Sequence, residues 1–323
     1  MLNLFYKEPN DDRWFPYDRY PRAVIRRLVR GPRRPGGHTR VFLNLCDGLR
    51  QIGEPFRIND FRFAKCNPSV LACIIGKPFL LDRIEWRNPI LFGAAVHSHP
   101  IDDPDLLQRL PIKRILVPGP WMREMCEPDW GNAVIDWPVG IDTDSWAPNQ
   151  HDSKSIDVLL YNKVLWTNEQ NEGSLLWPIR TALRHFGITF LEIRYGNYGE
   201  DDFRMALSKC RSMVFLCEHE TQGIAYQQAL SYGVPIFAWD RVGPWLDPSY
   251  YPHKVIFAPV TSFPYWDGRC GAKFKNATEF GVLWPDFWEN VKADRFAPRE
   301  YILENLTLEK CARRYVEIAQ SIG

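Results

Sequence analysis

Phe215 to Asp240 reads FLCEHETQGIAYQQALSYGVPIFAWD. The run Met213 to Cys217 is continuously apolar, as in a parallel strand covered on both faces. From Gly223 to Tyr232, the apolar residues Ile224, Ala225, Ala229 and Leu230 recur at helical spacing. Gly233 closes that helix, and Val234 to Ala238 is the next strand. Glu218, His219, Glu220, Thr221 and Gln222 therefore crowd the point where a parallel strand gives way to a helix. Open α/β sheets bind ligands at that edge, where free backbone N–H groups meet the positive end of a helix. The turn is too polar to serve packing alone.

The same stretch resembles the donor-binding segment of retaining nucleotide-sugar glycosyltransferases of the GT-B fold, family four above all. Those enzymes carry a Glu, a small Gly-containing turn and a second Glu eight positions on, followed by A-[ML]-x-x-G-x-P-[VI]. Glu220 takes the first position, and Ala229, Leu230, Gly233, Pro235 and Ile236 match the tail. Gln228 stands where the second Glu belongs. A second stretch, PVGIDTDSWAP at 138–148, is similar to their P-x-G-[IV]-D-x-x-x-[FW]-x-P segment, with Pro138, Gly140, Ile141, Asp142, Trp146 and Pro148 in register.

Strands and helices alternate along the whole chain, which calls for parallel sheets built from βαβ units. The first half reads as strands at 2–6, 70–75, 90–96, 112–117 and 133–137, with helices at 40–52, 105–110 and 120–126. Residues 141–155 lack periodicity and read as a linker. The second half restarts with strands at 156–161 and 189–194 and helices at 174–186 and 200–210. It closes with helices at 278–291, broken or kinked at Pro285, and 307–322, with Thr278 and Thr307 as N-caps. The expected fold class is α/β. The resemblance implies two facing Rossmann-like domains (GT-B) with a deep interdomain cleft: 1–148 on the acceptor side, 149–306 binding the nucleotide sugar, and a last helix, 307–323, crossing back onto the first.

Composition narrows the function. A net charge of +1 over 323 residues excludes a nucleic-acid-coating protein on bulk grounds. No apolar run approaches the roughly 20 residues that span a bilayer. The eight cysteines form no C-x-x-C pair and read as reduced, buried thiols, so the expected location is cytoplasmic. Prolines and aromatic residues fill 239–268, which reads as an ordered loop around one strand, Lys254 to Ala258.

The resemblance implies a hexosyltransferase-like enzyme that moves a sugar from a nucleotide-diphosphate sugar to a glycan or lipid-linked acceptor, with retention, no metal and no cofactor. Glu220 and His97 would be its catalytic residues. Lys163, Thr221, Gln222, Gly223, Ile224, Gln228 and, after domain closure, Gly37 would hold the donor. Lys163 would meet the diphosphate, and no second cation falls at the family spacing. Gln228 would contact the ribose with a neutral amide, at a loss of about 1 kcal/mol against a carboxylate. His97 and His99, as H-x-H at a strand end, also fit a metal pair. Gln228 and the missing cation leave a catalytically silent GT-B scaffold as the alternative.

One segment departs from the pattern. Six arginines, Arg22, Arg26, Arg27, Arg30, Arg33 and Arg34, surround Val24, Ile25, Leu28 and Val29 on a helical stretch. A basic amphipathic segment suits an anionic membrane surface, which makes peripheral membrane association through Arg22–Arg34 a further expectation.

Overall fold

A computed structural model describes residues 1–322 apart from 9–13, 16, 31–35 and 150–151, and omits the side chains of residues 23, 26, 27, 29, 30, 168 and 169. The chain forms two compact units: 1–117, 126–137 and 312–323 make the first, and 118–125 with 138–311 the second. The division thus falls at Trp137/Pro138, before the position 148 expected from sequence.

The first unit holds a parallel sheet in the order β2-β1-β3-β4-β5-β6, from β1 (Leu2–Phe5), β2 (Phe56–Ile58), β3 (Ala72–Ile74), β4 (Ile90–Phe92), β5 (Ile112–Val117) and β6 (Val134–Asp136). Its helices are α1 (Arg19–Arg30), α2 (Gly37–Gln51), α3 (Phe61–Cys66), α4 (Leu106–Arg109) and the C-terminal part of α5 (Pro120–Trp130), whose residues 120–125 belong to the second unit. β4 is shorter than the sequence suggests. Gly93 follows it at φ +135, where a Cβ would fall 2.1 Å from the Leu116 carbonyl oxygen. The chain therefore leaves the sheet at Gly93, and His97 and His99 lie in the loop beyond rather than at a strand end.

The second unit holds a parallel sheet in the order β11-β10-β9-β7-β8, from β7 (Ile156–Lys163), β8 (Phe190–Arg194), β9 (Cys210–Cys217), β10 (Ile236–Trp239) and β11 (Gly271–Phe274). Its helices are α6 (Asn168–Asn171), α7 (Trp177–His185), α8 (Glu200–Lys209), α9 (Ile224–Ser231), α10 (Ala277–Lys292) and α11 (Pro298–Asn305), and α12 (Leu308–Gln320) ends the chain. The apolar run in β9 has a direct cause. Met213, Phe215 and Cys217 enter a core with Tyr161, Phe203 and Tyr226, while Val214 and Leu216 enter another with Ile179, Leu183 and Trp284. Burial of each large side chain contributes about 1.5–3 kcal/mol.

Three local expectations are corrected. Helix α10 is continuous through Pro285 and not broken there, with Phe280, Trp284 and Phe287 on either side of the proline all packed on Phe237 of β10, ring centroids 4.8–5.8 Å away. Its cap is Asn276, which accepts a hydrogen bond from the Glu279 amide at 2.9 Å, and not Thr278. Residues 254–258 form no strand. Pro252 and Pro259 bracket them, and the loop is tied instead by one antiparallel bridge between Gly243 and Val260.

The segment expected to be a linker is built into the second unit. Ile141 bridges Thr307, and Trp146 is 5% exposed in the β9 core. The Asp142 carboxylate accepts from the amides of Asp144 and Ser145 and the Ser145 hydroxyl. Arg299 donates to the carbonyls of Thr143, Trp146 and Ser231. Gly140 lies where a Cβ would fall 2.5 Å from both the Leu308 Cα and the Thr307 carbonyl oxygen. The 138–148 motif is thus explained by close backbone packing. Gly140→Ala is expected to lower stability by about 1–3 kcal/mol, the range for overpacking. Chemical denaturation checks this, and an unchanged midpoint would contradict the packing account.

Candidate functional site

In the second sheet β7 lies between β8 and β9, so the direction of winding reverses at the β7–β9 seam. Ligands of open α/β sheets bind beyond the carboxyl ends of strands at such a reversal. Lys163 ends β7 and pairs in register with Cys217, which ends β9. The turn from Glu218 to Gly223 follows and leads into α9. Sequence and topology therefore choose the same place.

Lys163 Nζ lies 2.6 Å from Glu220 Oε1, with side-chain exposures of 17% and 9%. Burial pulls the ammonium pKa down, but the Glu220 carboxylate overrides it and leaves the pKa above the ordinary lysine value. Removing one partner of such a pair strands a buried charge, at a cost of about 3–5 kcal/mol. The other face of Lys163 meets the Tyr195 ring, 4.6 Å from Nζ to centroid.

The turn itself is fastened on all sides. The Glu220 amide donates to the Thr261 carbonyl at 3.1 Å, and Trp121 Nε1 donates to the Glu220 carbonyl at 2.7 Å. Ser262 donates its hydroxyl to the Cys217 carbonyl at 2.6 Å. Gln222 turns inward, accepting from the Val139 amide at 3.1 Å, so its side chain is a brace and not a ligand contact. Gly223 caps α9 at φ +77, and a Cβ there would fall 1.9 Å from the Tyr226 ring. That conformation and that contact both require glycine.

What the turn leaves open is its backbone. The amides of Thr221, Gln222, Gly223 and Ile224 donate to no acceptor among the described residues. They gather at the N-terminus of α9, where the helix dipole adds positive potential. Gln228, one turn further along α9, is 7% exposed, and its amide makes no hydrogen bond among the described residues. Lys163, Glu220, the turn and Gln228 thus belong to one region of the second unit. Gly37 and His97 belong to the first unit. Gly37 opens α2, where a Cβ would meet nothing within 4 Å, and His97 Nε2 lies 3.9 Å from Asp103. His99 caps a short turn, its Nδ1 accepting from the Ile101 amide at 3.1 Å.

Sequence reasoning left Glu218 undecided. Its carboxylate accepts from the amides of Leu165, Trp166 and Thr167 and from the Thr167 hydroxyl, which anchors the loop after β7. Trp121 and Trp166 were missed. They flank His219 with centroids 5.5 and 4.6 Å away. In the first unit, Glu8 was missed too. It accepts from Thr39 at 2.9 Å and from Tyr6, at the junction of β1 and α2. No motif marks these residues, whose partners are distant in sequence or main-chain.

AviGT4, a glycosyltransferase involved in avilamycin A biosynthesis, superposes over 99% of this chain and 97% of its own, with 12% identity and a TM-score of 0.57. Anabaena Alr3699/HepE, solved in complex with UDP, superposes over 99% of this chain and 100% of its own, with 10% identity and a TM-score of 0.59. The pneumococcal O-GlcNAc transferase GtfA, solved with UDP and GlcNAc, covers 81% of this chain with 59% of its own, at 9% identity and a TM-score of 0.52. The chain has the GT-B fold. No protein-family model matches the sequence, and no curated protein matches it. Within the GT-B frame, the Lys163–Glu220 pair and the open amides lie at the carboxyl edge of the second sheet.

His219 yields a test by titration. Burial, helped by the charges of Arg241 and Lys163, pushes its pKa down to about 3. The unfolded chain takes up this proton near the ordinary pKa of about 6.5, whereas the folded chain excludes it until about 3. Its contribution to stability is therefore full above that upper value and is lost as pH falls through the window. The slope is up to about 1.4 kcal/mol per pH unit. Denaturation between pH 4 and 7 is expected to show this slope, and His219→Gln to remove it. An equal slope in the variant would refute the account.

Proposed function

We propose that this protein transfers a sugar from a nucleotide-diphosphate sugar, UDP-linked in the first instance, to a glycan or lipid-linked hydroxyl, with retention and without a metal. The observation that carries the reading is the Lys163–Glu220 pair beside four unengaged amides at the switch point of the second sheet. HepE and GtfA, of similar fold, were solved with UDP, which supports the choice of nucleotide.

In this mechanism the bond between the anomeric carbon and the diphosphate oxygen breaks, and the electron pair leaves with the diphosphate. The acceptor oxygen bonds to the same face of that carbon, and its proton passes to the departing phosphate. Lys163 and the amides of Thr221 to Ile224 meet the charge that grows on the leaving group, where fixed dipoles lower the barrier. Glu220 reads sugar hydroxyls with the oxygen not committed to Lys163. Gln228 takes the ribose, and Gly37 and His97 keep the donor-contact roles that the resemblance implies.

Calorimetric titration is expected to show UDP binding, and incubation with UDP-sugars slow donor hydrolysis that EDTA leaves unchanged. Glu220→Gln keeps the shape of the side chain but removes its charge, and turnover is expected to fall by about ten- to a hundredfold. Full turnover in that variant would displace Glu220 from the site. Absence of binding by any nucleoside diphosphate would overturn the donor reading.

The membrane part rests on α1. Tyr20, Val24, Ile25 and Leu28 are 59–82% exposed along one stretch of this helix. Its sequence, RYPRAVIRRLVR, carries five arginines and no acidic residue. Arg22 pairs with Asp18 at 2.8 Å, Arg33 and Arg34 lie outside the described residues, and the side chains of Arg26, Arg27 and Arg30 do also. Among the described residues no helix is long and apolar enough to cross a membrane. An apolar face set among cations suits an anionic lipid surface, with about 1 kcal/mol of attraction per arginine. Cosedimentation with anionic but not neutral liposomes is expected, weakened by salt, and lost when Ile25 and Leu28 become Ser. Equal pelleting with both liposome types, or with neither, would remove the membrane from the reading.

A further inference from the structure

Arg241 follows β10 on the side of β9 opposite Lys163, and beyond the action of its charge on His219 no role described so far uses it. Trp239 of β10 pairs with Leu216 of β9, and Lys163 of β7 pairs with Cys217. The two cations therefore rise from the same sheet edge and flank the Glu218–Gly223 turn. Strand spacing separates their backbones by roughly 10 Å, within the joint reach of two long side chains.

Four observations set Arg241 apart from an ordinary surface arginine. It is partly buried, and its Nε is fully buried with no hydrogen-bond partner. It makes no ion pair among the described residues, its only hydrogen bond running to the Pro244 carbonyl. The nearby Glu218 carboxylate is occupied by main-chain amides and Thr167, whereas Lys163 is neutralised by Glu220. Finally, the next residue, Val242, is β-branched yet sits at φ +48, a costly conformation. A Cβ at Gly243 would fall 2.7 Å from Arg241 Nη1, so the loop makes room for the guanidinium.

We propose that Arg241 is the second cation of the donor site, binding the diphosphate from the side of the turn opposite Lys163. This rests on the nucleotide-sugar reading above. A guanidinium suits the task, since it stays charged and offers paired donors to phosphate oxygens. It adds a positive charge that is held in no ion pair among the described residues, though the Glu218 carboxylate lies near enough to act on it, whereas Lys163 is neutralised by Glu220.

The test compares UDP with uridine in calorimetric titrations of wild type, Arg241→Gln and Arg241→Lys. Arg241→Gln is expected to weaken UDP binding by roughly ten- to a hundredfold, to leave uridine binding unchanged, and to flatten the salt dependence of UDP binding. Arg241→Lys is expected to recover part of the loss. Unchanged UDP affinity in Arg241→Gln would overturn the assignment of Arg241 alone. Equal losses for UDP and uridine in both variants would also overturn it, by showing that Arg241 only supports the loop. A wild type that binds no UDP would overturn the donor reading, and this proposal with it.

Discussion

The turn between β9 and α9 depends on hydrogen bonds that reach it from elsewhere in the second unit. Thr261 receives the Glu220 amide, Ser262 holds the Cys217 carbonyl, Trp121 holds the Glu220 carbonyl and Gln222 reaches out to Val139. Asp240 in turn fixes Thr261 and Ser262, and Lys273 neutralises it at 2.7 Å. These bonds occupy the Cys217 and Glu220 carbonyls and the Gln222 side chain, while the amides of Thr221 to Ile224 donate to no acceptor among the described residues.

Charge at the site follows from the same economy of partners. Glu218 is consumed by the loop after β7, and Glu220 by Lys163. His219, enclosed by two tryptophan rings, stays neutral across the physiological range. Burial likewise holds the Cys217 thiol protonated, and it donates to the His219 carbonyl at 3.1 Å. The region thus combines a balanced ion pair, a neutral imidazole and oriented dipoles. Preorganised dipoles of this kind favour an anion without turning to meet it, while Lys163 is already held by the Glu220 carboxylate.

Much of this was legible from the chain alone, for identifiable reasons. A strand buried on both faces must be apolar throughout, so Met213 to Cys217 declared itself. Gly223 and Gly233 both have positive φ, and each marked a helix end. Other features had no local signature. The four residues of β11, GAKF, are too few and too mixed to show a period, and they pair with β10 only because the sheet has an edge to offer. Residues 254–258 have strand-like composition, yet they lie outside the sheet, between Pro252 and Pro259. The 138–148 motif was visible as a pattern, but its content is mechanical: Gly140, Ile141 and Trp146 fasten the start of the second unit to α11 and α12. Gln222 was read as part of the donor-facing turn through its amide, and its side chain turns inward to brace Val139. Residue type alone does not say which way a polar side chain turns.

The fastening of the turn also has a temporal side. Trp121 and Glu220 are 99 residues apart, Val139 and Gln222 83, and Cys217 and Ser262 45. Contacts of such separation form slowly, since long loops must close before they are rewarded. During synthesis the ribosome releases Lys163 and Glu220 well before Ser262 and Lys273. A nascent chain halted between those points would carry the ion pair without the struts that shape the turn. The aromatic, proline-rich loop from 240 to 270 carries Thr261 and Ser262, so the turn gains those struts only after this loop has docked.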